Sequence, residues 1–278
     1  MVVVRGAGDI ATGVIQKLVH AGFAVVALEM AHPMAIRWRA ALSPTVQRGR
    51  WQVEDLTGVR AADWTEASAL LASGTLGTVP VLVDPDAAVL AEVTPWALVD
   101  AVLAKRNVGT RRAMAPVTVG LGPGFSAGDD VDYVVETMRG HDLGRVIASG
   151  PALPNTGIPG LIAGRAAERV LHSPIAGVVE VRRGIGDVVT AGQVVCVVHG
   201  DTDAEVTSAI DGVIRGMIPD GFVVPARFKI ADVDPRVELA SACDTISDKS
   251  RAIGGGALDA VLQGLRAAGH YQPPPWRP

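Results

Sequence analysis

The chain has 278 residues, 49% of them apolar, and a mean hydropathy of +0.31, enough for one large domain or two ordinary ones around substantial cores. Its formal net charge is −4, and only four of its 25 basic residues are lysines (Lys17, Lys105, Lys229 and Lys249), which argues against nucleic acid as a partner. The longest charge-free stretches, Ala67–Val83 and Ala113–Gly128, are broken by glycine and proline well short of the ~20 unbroken apolar residues of a membrane span.

The first residues, Val2-Val3-Val4, are apolar, with no basic region or cleavage site before them. Cys196 and Cys243 lie far apart and form no ligand motif. Together these features predict a cytoplasmic protein that engages neither membrane nor nucleic acid.

Residues 1–29 compress a βαβ start. Val2–Val4 reads as a strand, Gly6-Ala7-Gly8 as a turn, and Asp9–Ala21 as a helix with Ile10, Val14, Leu18 and Val19 at helical spacing. Gly22 ends the helix, Val25–Leu28 is a second strand, and Glu29 follows it. The pattern is G-x-G-x-x-A with an acid 23 residues after Gly6. In that pattern Gly6 permits the tight turn, Gly8 lets backbone approach a pyrophosphate, and Ala11 allows close helix–strand packing. The helix start then offers N–H groups to an anion, and Glu29 can accept from ribose hydroxyls.

Arg5, at the end of the first strand, either faces an anionic ligand or forms a surface ion pair. His32-Pro33 and Arg37-Trp38-Arg39 read as a basic loop over the crevice. Thr65–Ala72 is predicted as a helix and Val79–Val83 as a strand. Ala97–Val99 is preferred as a strand over a helix opened by Thr94-Pro95. Asp84, Asp100, Lys105 and Asn107 then fall at the carboxyl edge, where open α/β sheets bind ligands.

The stretch from Gly120 to Asp130 reads GLGPGFSAGDD. It is no Walker loop, because no G-K-[ST] follows and Asp129-Asp130 would repel a phosphate. Its glycines, Gly122 and Gly124 among them, shape it as a wall of an interdomain cleft, with the pyrophosphate site at Gly6–Gly8. Val131–Thr137 and Arg145–Ile147 read as further strands, with Arg139, His141, Asp142 and Arg145 crowding the turn between them. Asn155-Thr156-Gly157 forms another polar loop.

From Leu171 onward, short valine-rich runs alternate with Gly-Asp and Asp-Gly turns. Residues 175–198 align without a gap on residues 210–233 at a spacing of 35, matching Gly177 with Gly212, Gly186 with Gly221, and Val188-Val189 with Val223-Val224. The pattern resembles a biotinyl/lipoyl-type barrel-sandwich repeat. No lysine occurs between Gly184 and Phe228, so no biotin or lipoyl group can be attached there, and a structural or docking module remains.

Cys196 reads as a packed strand position and Cys243 as an exposed thiol. The C-terminal region reads as a glycine-broken loop, then a helix over 257–268 whose Leu258, Val261, Leu262 and Leu265 pack on a domain or on a second subunit, leaving a homo-oligomer open. Residues 272–278 read as a disordered tail. The expected fold class is an α/β Rossmann-like domain (1–115), then a β-rich domain (116–240) containing the barrel-sandwich repeat, then a C-terminal helix and tail (241–278).

The segments RGAGDIATGV, DAVLAKRN-x-GT, GLGPGFSAG, ETMRGHDLGRV, PNTGIPG, DVDPR and TISDKSRAIGGGALDAVL, in this order over nearly the whole chain, resemble the YqeB-type accessory proteins of selenium-dependent molybdenum hydroxylases. The resemblance implies a part in maturing a molybdenum hydroxylase such as a xanthine dehydrogenase, with no established reaction. It places family motifs on Gly6, Gly8 and Asp9, on Lys105 and Asn107, and on Gly122, Gly124 and Gly128. Further motifs fall on Glu136, Arg139, His141, Asp142 and Arg145, and on Asn155 and Thr156. Trp38 and Tyr133 depart from the arginine and histidine the family pattern leads one to expect.

The ligand this implies is a molybdopterin dinucleotide, its pyrophosphate on Gly6–Gly8 with Arg5 supplying charge, and Arg139 and Arg145 contacting phosphate or pterin oxygens. Two alternatives stand beside it. One is an NAD(P)-dependent oxidoreductase with His141 or Lys105 as proton donor, and the other is a non-catalytic module docking on the hydroxylase. No metal is expected, because His141-Asp142 are adjacent and lie on no ligand-spaced motif.

Overall fold

The computed structural model describes residues 1–271 and divides the chain into two compact units. The first comprises 1–33, 41–155 and, among the described residues, 246–271; the second comprises 34–40 and 156–245. The predicted tail, 272–278, lies outside the described residues.

In the first unit the strands are β1 (Val2–Arg5), β2 (Val25–Glu29), β3 (Arg50–Val53), β4 (Leu56–Ala61), β5 (Thr78–Val83), β6 (Ala97–Asp100) and β7 (Thr118–Leu121). They continue through β8 (Ser126–Ala127), β9 (Tyr133–Val135), β10 (Val146–Ile147) and β11 (Gly150–Pro151). The helices are α1 (Asp9–His20), α2 (Thr45–Arg48), α3 (Trp64–Ala72) and α4 (Asp248–Ala267).

One nine-stranded sheet runs β10-β9-β7-β6-β1-β2-β5-β4-β3, with the small β11-β8 pair beside it. The edge strands β10 and β3 pair antiparallel, and the other seven of the nine run parallel. Alternate residues split between two cores. Val2, Val4, Ala27 and Val99 pack with α1 and α4, and Val3, Val26 and Leu98 pack with Ala67 of α3. A sheet covered on both faces needs such unbroken apolar strands.

Helix α4 begins well before the predicted 257. Ser247 caps it by accepting from Ser250 N (3.1 Å), and it continues through Gly254-Gly255-Gly256. The glycines read from sequence as helix breakers serve close approach instead. A Cβ on Gly13 of α1 would lie 2.5 Å from Ser250 O, and one on Gly254 would lie 2.4 Å from Gly13 O. Ile253, Ala257, Val261 and Leu265 then bury against the sheet of their own unit. Glu54, in the β3–β4 turn, fixes the start of this helix by accepting from Ile246 N and Arg251 Nη2 at 2.9 and 2.7 Å, and also from Gln16 of α1 at 2.8 Å.

The second unit contains β12 (Val170–His172), β13 (Gly177–Val181), β14 (Val188–Val189), β15 (Val194–His199), β16 (Asp203–Thr207), β17 (Gly212–Met217), β18 (Val223–Val224) and β19 (Lys229–Asp234). They form two four-stranded antiparallel sheets, β16-β15-β13-β18 and β12-β19-β17-β14. A shift of 35 residues carries β12 to β15 onto β16 to β19, and so carries one sheet onto the other. The register obeys it: Gly177 pairs with Val224 and Val178 with Val223, while Gly212 pairs with Val189 and Val213 with Val188. Turn bonds obey it too, with Gly186 N donating to Ile214 O and Gly221 N to Val179 O, each at 2.8 Å. The repeat reaches back to β12, further than the sequence alignment.

The expected fold class is therefore corrected. In place of a Rossmann-like domain closing at 115, one mixed sheet takes in β7, β9 and β10, ends in an antiparallel strand at each edge, and is covered by a helix from the far end of the chain. In place of a β-rich domain built around a biotinyl/lipoyl-like barrel-sandwich repeat, there are two open four-stranded antiparallel sheets that also recruit residues 34–40.

Alanine in place of helical glycine ordinarily adds about 1 kcal/mol of stability. Gly13→Ala should instead destabilise the protein, by about 1–3 kcal/mol, because its methyl group meets the backbone of α4. Urea unfolding followed by circular dichroism measures this, and a stability gain would contradict it.

Candidate functional site

The strand order reverses at β1, so the crevice of an open sheet falls at the carboxyl ends of β1 and β6. Arg5 ends β1 and lies directly opposite Asp100 of β6. Both are buried, and Arg5 Nη1 reaches Asp100 Oδ2 at 3.1 Å and Thr110 Oγ1 at 2.5 Å. Thr110 Oγ1 in turn donates to Asp100 Oδ2 (2.6 Å), and Arg5 Nη2 donates to Pro85 O (2.7 Å). Arg5 is thus neither a ligand-facing cation nor a surface ion pair: it is a buried tie between the loops after β1, β5 and β6. Asn107 shapes the returning loop, its Oδ1 accepting from Gly109 N and Thr110 N and its Nδ2 donating to Thr110 O.

The glycine turn is present and leads into α1. Gly6 has a φ of +101°, and a Cβ there would lie 2.9 Å from Ala101 O, so only glycine lets the turn nest against the loop after β6. Gly8 precedes α1 with no side-chain cap, nothing lies within 4 Å of where its Cβ would be, and Asp9 occupies the first helical turn.

Glu29 does not reach outward for ribose. Its Oε2 accepts from Ala7 N (2.9 Å) and its Oε1 from Met30 N (2.8 Å). Burial raises its pKa, opposed in part by those two N–H bonds.

The GLGPG loop is a packing device. Gly124, at φ +109°, sits where a Cβ would come within 2.6 Å of the Arg106 backbone. Gly122 faces the Thr137 hydroxyl, and Asp129 and Asp130 accept from the hydroxyl and amide of Ser126 within their own turn. The structure therefore gathers Arg5, Gly6, Glu29, Lys105, Asn107, Gly122 and Gly124 into nested loops at one sheet edge. Lys105 is an exposed residue with a left-handed backbone (φ +62°), and the partial burial of its ammonium pulls its pKa down.

Glu136, just past β9, is buried and accepts from Thr137 N, Met138 N and Leu153 N at 2.7, 2.7 and 2.8 Å. It lines a pocket of about 380 Å³ with Asp142, Arg145, Ile147, Pro151 and Leu153. Arg145 pairs with Asp142 at that rim (3.0 Å). Arg139 is turned away to Asp248 at the start of α4 (3.0 Å) and does not line the pocket, nor does the exposed His141. Asn155 is exposed.

The basic loop expected over the crevice belongs to the second unit, where Arg37 pairs with Asp232, Arg39 with Asp244, and Trp38 Nε1 donates to Met217 O. Cys243, expected exposed, is buried against β17, and burial raises its thiol pKa. Cys196, also buried, is pushed up to about 11, so neither offers a ready thiolate. Among the described residues no group of three or more His, Cys, Asp or Glu is arranged to hold a metal, and no helix is long and apolar enough to cross a membrane.

The molecule is thus an α/β protein whose carboxyl-edge loops are tied by strand-end acids, joined to a twofold-repeated β unit. No family model matches the chain. A curated relative from Escherichia coli (strain K12), described as uncharacterized protein YqeB, is 46% identical over 271 residues, covering 96% of this chain and 49% of that protein. The chain belongs to the YqeB-type proteins and spans about half the length of the curated relative it matches.

Similar solved structures include a succinylglutamatedesuccinylase/aspartoacylase from Rhodobacter sphaeroides, at 24% identity and a TM-score of 0.23 over 25% of this chain and 22% of that one. An aspartoacylase family protein from Mesorhizobium loti has 13% identity and a TM-score of 0.27 over 75% and 83%. Scores this low transfer no function.

Asp100→Ala leaves the Arg5 guanidinium buried without its counter-ion and should cost about 3–5 kcal/mol of stability. The double variant R5M/D100L should recover much of that loss. Chemical denaturation of both proteins tests it, and equal stability of Asp100→Ala and wild type would contradict the buried tie.

Proposed function

We propose that this chain is an accessory protein in the maturation of a molybdenum hydroxylase, and that it binds a nucleotide-bearing anionic cofactor such as a molybdopterin dinucleotide at the Gly6–Gly8 turn. The pathway rests on the YqeB-type motifs. The ligand rests on one observation: a glycine turn at the sheet's reversal point leads into a twelve-residue helix that no side chain caps. Helix starts of this kind receive pyrophosphates through backbone N–H groups.

The residues present fit the diphosphate in part. Gly8 leaves open space, while the Ala7 N–H is held by the Glu29 carboxylate, which stands where a phosphate oxygen would bond. The ligand then has to displace Glu29 or find it protonated. An NAD(P)-dependent oxidoreductase is disfavoured, because both carboxylate oxygens that would hold the ribose are engaged by Ala7 and Met30.

Equilibrium dialysis against the pterin dinucleotide tests the proposal, and binding no tighter than that of unrelated nucleotides overturns it. Glu29→Ala should tighten binding several-fold by freeing the Ala7 N–H. Because burial raises the Glu29 pKa, acidification from neutral pH protonates it, so wild-type affinity should rise as pH falls and Glu29→Ala should lose that dependence. Weaker binding by Glu29→Ala would mean the acid contacts ligand directly, as the NAD(P) reading requires.

A further inference from the structure

The pocket beside the charged turn after β9 is one for which the proposed function has no use. Alternation along β9 sends Val135 toward α4 and Val134 toward Phe125 and Ala127 on the other face of the sheet. Glu136, two residues beyond Val134, stands on that second face. There the chain returns through β11, and the cavity of about 380 Å³ is walled by the edge strand β10 on one side and by Pro151 and Leu153 on the other. That volume is in the range of small-molecule sites.

Glu136 is only 2% exposed, yet it lines this cavity. Its Oε1 accepts from Thr137 N and Met138 N, and its Oε2 accepts from Leu153 N alone. A carboxylate has about four acceptor positions, so one on Oε2 is left open. Among the described residues no Lys, Arg or His pairs with Glu136. The two arginines of its own turn are engaged elsewhere, Arg139 with Asp248 and Arg145 with Asp142, each at 3.0 Å.

The charges that line the cavity therefore do not cancel: Asp142 and Arg145 neutralise each other at the rim, and Glu136 has no counter-ion. Three backbone N–H groups hold that carboxylate in place but bring no formal positive charge. Burying a charge is costly unless a counter-charge comes with it. The remaining side chains of the wall, Ile147, Pro151 and Leu153 among them, are apolar and offer a ligand no competing polar group. We infer that this cavity binds a small primary amine as its ammonium ion, with an apolar body behind the charge. The ammonium donates to the open position on Glu136 Oε2, and the body packs on Ile147, Pro151 and Leu153. The inference uses neither the glycine turn nor Glu29, so it stands or falls separately from the proposed function.

Isothermal titration calorimetry of the full chain with cyclohexylmethylammonium tests it, beside the near-isosteres cyclohexylmethanol and cyclohexanecarboxylate at constant ionic strength. The expected result is saturable binding of one ammonium per chain, with the alcohol and the carboxylate each at least roughly tenfold weaker because neither supplies a charged donor. Glu136→Gln should abolish the preference for ammonium over alcohol. Ala148→Trp, which fills the cavity and leaves the Glu136 hydrogen bonds in place, should abolish measurable binding. Absence of saturable ammonium binding, either isostere bound equally well, or a folded Ala148→Trp that binds unchanged would each overturn the site. Nα-acetyl-lysine methylamide bound more tightly than the free amine would overturn the small-molecule assignment in favour of a protein's lysine. Should circular dichroism show that Glu136→Gln does not fold, Ala148→Trp and the wild-type preference for ammonium decide.

Discussion

Seven parallel strands ending at one edge of a sheet leave their last residues, and the amides of the loops that follow, in a crowded and partly dry layer. Backbone N–H groups there must find acceptors. Carboxylates at the strand ends supply them. Glu29 holds the amides of Ala7 and Met30, and Asp84 holds those of Ala88 and Val89. Asp100 holds Val102 together with Arg5 and Thr110, and Glu136 holds Thr137, Met138 and Leu153. Bonds to an ionised acceptor are stronger than neutral ones. Acids that a sequence reader assigns to ligands therefore serve first as latches that give each loop its shape.

That constraint determines what the edge can offer a ligand. The latched acids present little free negative charge, and the buried Arg5 presents no free positive charge. The edge also carries backbone, the start of α1 behind Gly8 with Asp9 in its first turn, and the exposed Asp86, Lys105 and Arg106. Such a surface suits recognition of an anionic group by N–H donors better than proton transfer, which needs a titrating side chain aimed at substrate. Glu29 is a latch whose pKa burial raises, which is why the proposed ligand exchange is placed there.

The sequence was most legible where information is local. Strand β1, helix α1, strand β2 and the preference for a strand at Ala97–Val99 followed from periodicity and punctuation, and the 35-residue repeat followed from self-alignment. Illegible were facts that depend on distant segments. Thr110 and Pro85 bind Arg5 across 105 and 80 residues, and no local pattern marks them. The glycines of α4 read as breakers because their reason, the backbone of α1, lies more than 200 residues away in sequence. The fold class failed for the same cause. A βαβ opening identifies two strands and a helix, but it cannot say that β9, β10 and a C-terminal helix complete the same sheet. Cys243 looked exposed beside DTISDK, yet the preceding turn folds it onto β17.

The central claim is that strand-end acids hold the carboxyl-edge loops. Amide hydrogen exchange, resolved by residue, tests it most directly at Ala7, Val102 and Leu153, each bonded to a side-chain carboxylate rather than to a strand partner. The account predicts protection at all three comparable to that of neighbouring strand amides. Exchange at the rate of an open loop would contradict it.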